Sequence, residues 1–207
     1  MKIILDGIGK RYRANWLFRD LKTELITPQS YMITGYNGSG KSTLLLIMAG
    51  FVTPTMGKIE WINDDEKQIE REKVYEYFSL CSPSLELFDD LSLAELVERH
   101  FSFRPMLGNY KVNEFKEICG LDAHWNKQVG TFSSGMKQRV KIALAVLTES
   151  KALLLDEPAM NLDTRSVDWY YQLIHAYLNN RLLVVATNNP QTDSPFKATE
   201  INIVQRS

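Results

Sequence analysis

Residues 35–42, GYNGSGKS, constrain this chain more than any other stretch. They match the pattern G-x-x-x-x-G-K-[ST], which at average residue usage arises by chance at roughly one position in thirty thousand. SYMIT, residues 30–34, reads as a strand ahead of it, and a helical segment begins near Lys41 and stops by Gly50, a C-terminal cap. Strand, glycine loop and helix together give the pattern a physical meaning. Gly38 and Gly40 let the backbone curl until successive N–H groups point inward at the positive end of the following helix, where phosphate oxygens can be held. Lys41 is then expected to reach the β and γ phosphates of a nucleotide, and the Ser42 hydroxyl to bind Mg²⁺. Gly35, Asn37, Ser39 and Thr43 complete the expected nucleotide-binding set. The loop identifies a nucleotide binder but not a function.

A second element lies far along the chain. ALLLDEP, residues 152–158, is a short apolar run that ends in two carboxylates. It reads as a buried strand, and RLLVVAT, residues 181–187, reads as another, with a helical segment between them. Apolar strands alternating with helices imply an α/β fold with a mostly parallel sheet covered on both faces. Ligands of such sheets gather at the carboxyl ends of the strands, so Asp156 is expected near the Mg²⁺ held by Ser42. Glu157 then points beyond the γ phosphate, where a carboxylate can orient an attacking water or accept its proton.

The remaining pattern is strand-rich before residue 83 and helical from there to 149. Residues 2–6 and 17–26 alternate as strands, TPTMGKIEWI reads as turn then strand, and DDEKQIEREK as a solvated charged segment before a strand candidate, VYEYFSL. SLAELVERHF opens with a Ser-x-x-Glu capping box at Ser92 and Glu95, KVNEFKEICG is a helix closed by Gly120, and a third helix is expected from about Ser134 to Glu149.

FSSGMKQRVKIALAV, residues 132–146, places Ser-Ser-Gly at a helix start directly before the acidic strand. Taken with GYNGSGKST and LLLDEP, this stretch resembles the signature motif of ABC ATPases, usually Leu-Ser-Gly-Gly-Gln. The resemblance extends over essentially all 207 residues. It implies a P-loop fold of ABC type, with an antiparallel β subdomain and a helical signature subdomain. The implied layout is one ABC ATPase domain, 1–207, whose core is 1–82 and 150–207 and whose helical part is about 83–149. It also implies that two domains meet head to tail, with Ser133, Ser134, Gly135 and Met136 of one chain facing the γ phosphate bound by the other. Because loop and signature occur in one chain, a homodimer is expected, or a heterodimer with a related ATPase. The same resemblance gives Tyr12 an adenine-stacking role and makes Asp163, in MNLD, a residue that couples the two sites.

Two positions depart from that family's pattern. Its usual glutamine at the junction of core and helical parts is absent, since no glutamine occurs between Gln68 and Gln128. Ser82 is the first candidate for the place, and thus a candidate Mg²⁺ neighbour, with Cys81 and Pro83 as alternatives. The strand LLVVAT is followed not by the family's histidine but by Asn188. An asparagine offers an amide donor without a titratable proton. Phosphoryl transfer rests mostly on positioning and electrostatics, so slow but real hydrolysis is expected, with Glu157 and Asn188 as the catalytic pair.

Composition narrows the function classes. Lysine and arginine total 24 against 25 aspartate and glutamate, a net charge of −1 that gives no case for a nucleic-acid partner. Two cysteines without metal or redox spacing suit a reducing cytoplasm, and no apolar run is long enough to cross a bilayer. No leader peptide is expected. The leading expectation is the ATPase subunit of an ABC transporter on the inner face of a membrane, energising separately encoded permease subunits. Leu85, Leu87, Phe88 and Leu91 would line the groove for a membrane partner. The alternatives are a soluble ATP-gated dimeric regulator and a weakly active nucleotide-binding pseudo-subunit. The interval from Lys41 to Ser133 leaves no room for the coiled coils of chromosome-organising members, and two fused domains of the translation-factor kind are not expected.

Overall fold

The computed structural model describes residues 1–108, 110–194 and 196–203. Lys2–Tyr12 (β1) and Asn15–Ile26 (β2) form an antiparallel hairpin. After Ser30–Thr34 (β3) and the helix Lys41–Met48 (α1), the chain returns through Met56–Ile62 (β4) to pair with β1. Phe78–Cys81 (β5) leads into Leu93–Phe103 (α2), Val112–Cys119 (α3) and Ser134–Leu147 (α4), and then into Ala152–Asp156 (β6). Thr164–Tyr177 (α5), Leu182–Ala186 (β7), the single turn Pro190–Asp193 (α6) and Thr199–Asn202 (β8) follow.

Five strands form a parallel sheet in the order β5-β6-β7-β3-β8, and three form an antiparallel sheet in the order β2-β1-β4. β6 and β7 are buried at every position, as the apolar runs predict. Their side chains divide by the two-residue period of a strand. Leu154 and Val184 face one way, against Leu44, Leu45 and Ile47 of α1 and Ile3 and Leu5 of β1. Leu153, Leu155, Leu183 and Val185 face the other, against Ile142 and Val146 of α4 and Tyr170 and Ile174 of α5. A third cluster, around Leu93, Val97, Phe115, Val129, Val140 and Leu147, holds the helices together. Each of these fully buried side chains contributes roughly 1.5–3 kcal/mol relative to exposure. α4 belongs to two clusters, so the helix that carries the signature start is packed on both flanks.

The register fixes where the site can be. Asp156 lies opposite Ala186, and Ile33 opposite the same Ala186, so β6, β7 and β3 end level with one another. Glu157 N donates to Ala186 O at 2.8 Å and Thr187 N to Ile33 O at 3.0 Å, continuing the ladder into the loops.

Several elements differ from the sequence reading. β1 runs on past residue 6 because Gly7, at φ 63°, and shifts in register absorb the break in alternation. VYEYFSL is not one strand: Arg71–Tyr77 is a 3-10 helix and only Phe78–Cys81 is extended. Nor is the charged segment before it wholly solvated. Ile69 is buried, and the Arg71 guanidinium donates to Gly50 O at 3.1 Å and Thr53 Oγ1 at 2.6 Å. α4 stops two residues short of Glu149, where Thr148 Oγ1 donates back to Leu144 O and Glu149 N turns to Pro105 O. β8 and α6, four residues each, are too short to carry a periodic signal in the sequence. The capping box at Ser92 and Glu95 is present, and Gly120 ends α3 at φ 67°.

Candidate functional site

The phosphate loop joins the carboxyl end of β3 to the first turn of α1. Gly38 and Gly40 have φ of 81° and 102°, which side chains rarely adopt, and a Cβ on Gly40 would also meet Phe18 at 2.9 Å. Lys41 is 5% exposed, and its Nζ donates to Gly35 O and Tyr36 O, both at 3.1 Å. An ammonium with carbonyl partners and, among the described residues, no carboxylate can turn its charge to an anion in the loop. Ser39 Oγ is buried without a hydrogen-bond partner among the described residues. Asn37, Lys41, Ser42 and Thr43 share a cavity of about 340 Å³ with Tyr12, Leu17 and Glu157. Tyr12 is half exposed on its wall, with Lys10 Nζ 4.9 Å from the ring centre.

At the end of β6, Asp156 is buried and accepts on both oxygens, from Ser42 Oγ on Oδ1 and from Ser82 Oγ on Oδ2, each at 3.0 Å. Ser82 also contacts Ser84 Oγ at 3.0 Å. Cys81 faces the core, where burial pushes its thiol up to about 12. The three oxygen groups of Ser42, Asp156 and Ser82 are the hard donors that suit Mg²⁺. Among the described residues no group of three or more His, Cys, Asp or Glu side chains is arranged for a metal, so a cation here would depend on these oxygens and on nucleotide phosphates.

Glu157 has φ 45°, an uncommon conformation for a residue with a Cβ, and one that turns the chain sharply out of β6. Asn188 Nδ2 donates to Glu157 Oε1 at 2.6 Å and also to Asn37 Oδ1. The structure thus brings Asn188 to the expected carboxylate and to the phosphate loop. Behind them lies Asp193, 5% exposed, which no motif singles out. Its Oδ1 accepts from Ala159 N at 2.8 Å and its Oδ2 from Thr187 Oγ1. Burial raises its carboxyl above the usual range, against these hydrogen bonds.

The signature stretch stands at the N-terminus of α4. Ser133 is the N-cap and its Oγ accepts from Met136 N at 3.2 Å. Ser134 is exposed, and Gly135 and Met136 are half-buried. A Cβ on Gly135 would lie 2.9 Å from Asn161 O, so this glycine permits close approach of the loop after β6. Gln138, buried on the next turn, donates to Pro158 O at 2.9 Å and ties α4 to that loop. Asp163 caps α5, accepting from Ser166 N at 2.8 Å, a bond that holds its carboxyl below the usual value.

A family model described as ABC transporter matches residues 18–160, from β2 through the loop after β6. The chain belongs to the ABC transporter family. This ABC chain is 29% identical over 192 residues to the cytochrome c biogenesis ATP-binding export protein CcmA of Pseudomonas aeruginosa, covering 90% of the chain and 92% of that relative. It is 30% identical over 204 residues to the lipoprotein-releasing system ATP-binding protein LolD of Nitratidesulfovibrio vulgaris, covering 89% of the chain and 85% of the relative. The human phospholipid-transporting ATPase ABCA3 is 30% identical over 188 residues that make up 87% of this chain. The chain spans about a tenth of that relative's length.

Solved structures agree on the fold of the ABC chain. A dimeric ATP-binding cassette in a post-hydrolysis state bound to ADP and Pi superimposes with a TM-score of 0.77 at 22% identity, covering 92% of this chain and 90% of that one. A bacterial Atm1-family ABC exporter with ATP bound gives a TM-score of 0.82 at 21% identity, covering 99% of this chain and 37% of that one. The expected P-loop fold of ABC type is the one this chain has, with a parallel sheet core, an antiparallel sheet and helices.

Proposed function

We propose that this chain is the ATP-binding and ATP-hydrolysing subunit of an ABC transporter, and that ATP draws two such chains together to drive separately encoded membrane subunits. The observation that carries the reading is that Asn188 joins Glu157 to Asn37, two residues that line the phosphate-loop cavity.

In this reading ATP is the substrate and its terminal phosphoryl group is transferred to water. The loop N–H groups and Lys41 hold the β and γ phosphates and offset the charge that develops on them. Glu157 orients the attacking water and takes a proton from it, while the Asn188 amide fixes the carboxylate and has no titratable proton. Mg²⁺ would be held by Ser42 and Asp156, with Ser82 beside them, and would supply charge neutralisation at the phosphates. Tyr12 stacks on the adenine.

The second half of each site comes from Ser133, Ser134, Gly135 and Met136 of a second copy, or of a related ATPase, with Asp163 coupling the two sites. Relatives named as ATP-binding export or releasing-system proteins support a membrane partner. Of the four residues expected in the partner groove, Leu85 and Phe88 are exposed at the start of the helical part, about 83–149, while Leu87 and Leu91 are partly buried against its core. No helix among the described residues is long and apolar enough to cross a membrane. In the proposed role the chain sits on the cytoplasmic side, held at the membrane by its partner subunits.

The test is steady-state Mg·ATP hydrolysis by the purified chain beside Glu157→Gln and Asn188→His, with size-exclusion chromatography in ATP. Slow turnover that Glu157→Gln abolishes while trapping an ATP-bound dimer supports the reading. Equal background rates for all three, with each monomeric, refute it for the isolated chain.

A further inference from the structure

Glu157 and Asn188 sit on two different loops, and their mutual geometry depends on what holds those loops together. The sheet ladder reaches only as far as Glu157 N and Thr187 N. Beyond it, one buried side chain touches both segments. Asp193 Oδ1 accepts from Ala159 N, two residues after Glu157, and Oδ2 accepts from Thr187 Oγ1, one residue before Asn188. Thr187 Oγ1 in turn accepts from Asn189 N at 2.7 Å, which fixes the residue after Asn188. The turn that carries Asp193 is anchored from behind by α5, where Tyr170 OH donates to Asp193 O at 2.8 Å and Tyr171 OH to Thr192 O at 2.7 Å.

We propose that Asp193 is a positioning residue for hydrolysis, a carboxylate strut that sets the separation of the Glu157 and Asn188 loops. This rests on the reading of Glu157 and Asn188 given above. A buried carboxylate that joins a backbone N–H to a hydroxyl defines both distance and direction, because each oxygen has one donor and the ion is too costly to leave unpaired. Removing it leaves the phosphate loop, Lys41 and Ser42 in place. Its loss therefore falls on turnover, where a misplacement of about 1 Å can cost on the order of a hundredfold, and not on nucleotide affinity. Asp163, the residue assigned to coupling between two copies, caps the start of α5, and through Tyr170 and Tyr171 the same strut answers to that helix.

The experiment measures kcat for Mg·ATP and the Kd of ATP for wild type, Asp193→Ala, Asn188→Ala and the double variant, with Glu157→Gln as control. The expected result is a kcat at least tenfold lower in Asp193→Ala with Kd unchanged within about twofold, and a double variant close to Asn188→Ala alone. A kcat within twofold of wild type, or single losses that multiply in the double variant, overturns the proposal. If Asp193→Ala does not fold, Asp193→Asn is used. It keeps the acceptor for Ala159 N but leaves the Thr187 hydroxyl without an acceptor, and the same two readouts apply. If Glu157→Gln and Asn188→Ala both leave turnover at the wild-type rate, the reading of the site fails and the strut with it. If they lower turnover and Asp193→Ala does not, the strut alone fails.

Discussion

Asn188 Nδ2 lies 2.6 Å from Glu157 Oε1, and the same nitrogen reaches Asn37 Oδ1. One neutral amide therefore ties the carboxylate at the end of β6 to the phosphate loop. A histidine there would do so with a group that titrates near neutral pH.

From this, kcat is expected to show no histidine-type transition between about pH 6 and 8, because the amide beside Glu157 does not titrate there. Asn188→His should introduce one. The check is a pH–rate profile of both proteins at saturating Mg·ATP, and a histidine-type step already present in wild type contradicts the assignment.

Glu157→Gln is expected to lower kcat by at least a hundredfold with ATP affinity kept, because the amide retains the hydrogen-bonding shape but cannot take a proton. Nucleotide titration beside turnover measures both. Equal losses of binding and turnover would make Glu157 a binding group instead.

Ser82→Ala removes one of the two hydroxyls that donate to Asp156. A hydrogen bond to a charged group contributes about 1.5–3 kcal/mol. The Mg²⁺ concentration for half-maximal hydrolysis should accordingly shift by about tenfold. A metal titration at fixed ATP reads the shift.

Tyr12→Ala should weaken ATP binding by about fivefold, the lower end of the range for one base stacked on an aromatic ring, while Tyr12→Phe leaves it unchanged. Fluorescence titration with ATP distinguishes the ring from the hydroxyl. If Tyr12→Phe weakens binding as much as Tyr12→Ala, stacking is not what this residue contributes.

His100 offers a stability test away from the site. Burial of its ring, helped by Arg104, lowers it from 6.5 to about 4, and its Nε2 pairs with Thr148 Oγ1 at 2.8 Å. Between pH 6.5 and 4 the unfolded chain holds the extra proton, so stability rises with pH across that window and is lost as pH falls. The loss across the whole window is on the order of 3 kcal/mol. Thermal denaturation of wild type should weaken more steeply from pH 6.5 to 4.5 than that of His100→Gln, and parallel curves would refute this.

What could be read along the chain was encoded within a few residues. The phosphate loop is spelled by glycines that need φ of 81° and 102°. The buried strands β6 and β7 announce themselves as apolar runs, and α2 and α3 by their capping box and closing glycine. Each of those signals is local, since backbone sterics and side-chain period act over one turn or one strand.

The partners inside the site are long-range. Ser82 meets Asp156 across 74 residues, Asn188 meets Asn37 across 151, and Asp193 meets Ala159 across 34. No periodicity specifies them, because they follow from the register in which β6, β7 and β3 pair and end level. For the same reason the choice among Cys81, Ser82 and Pro83 was open until β5 paired with β6. That register places Cys81 opposite Leu155, with its side chain in the core, and brings the Ser82 hydroxyl to Asp156.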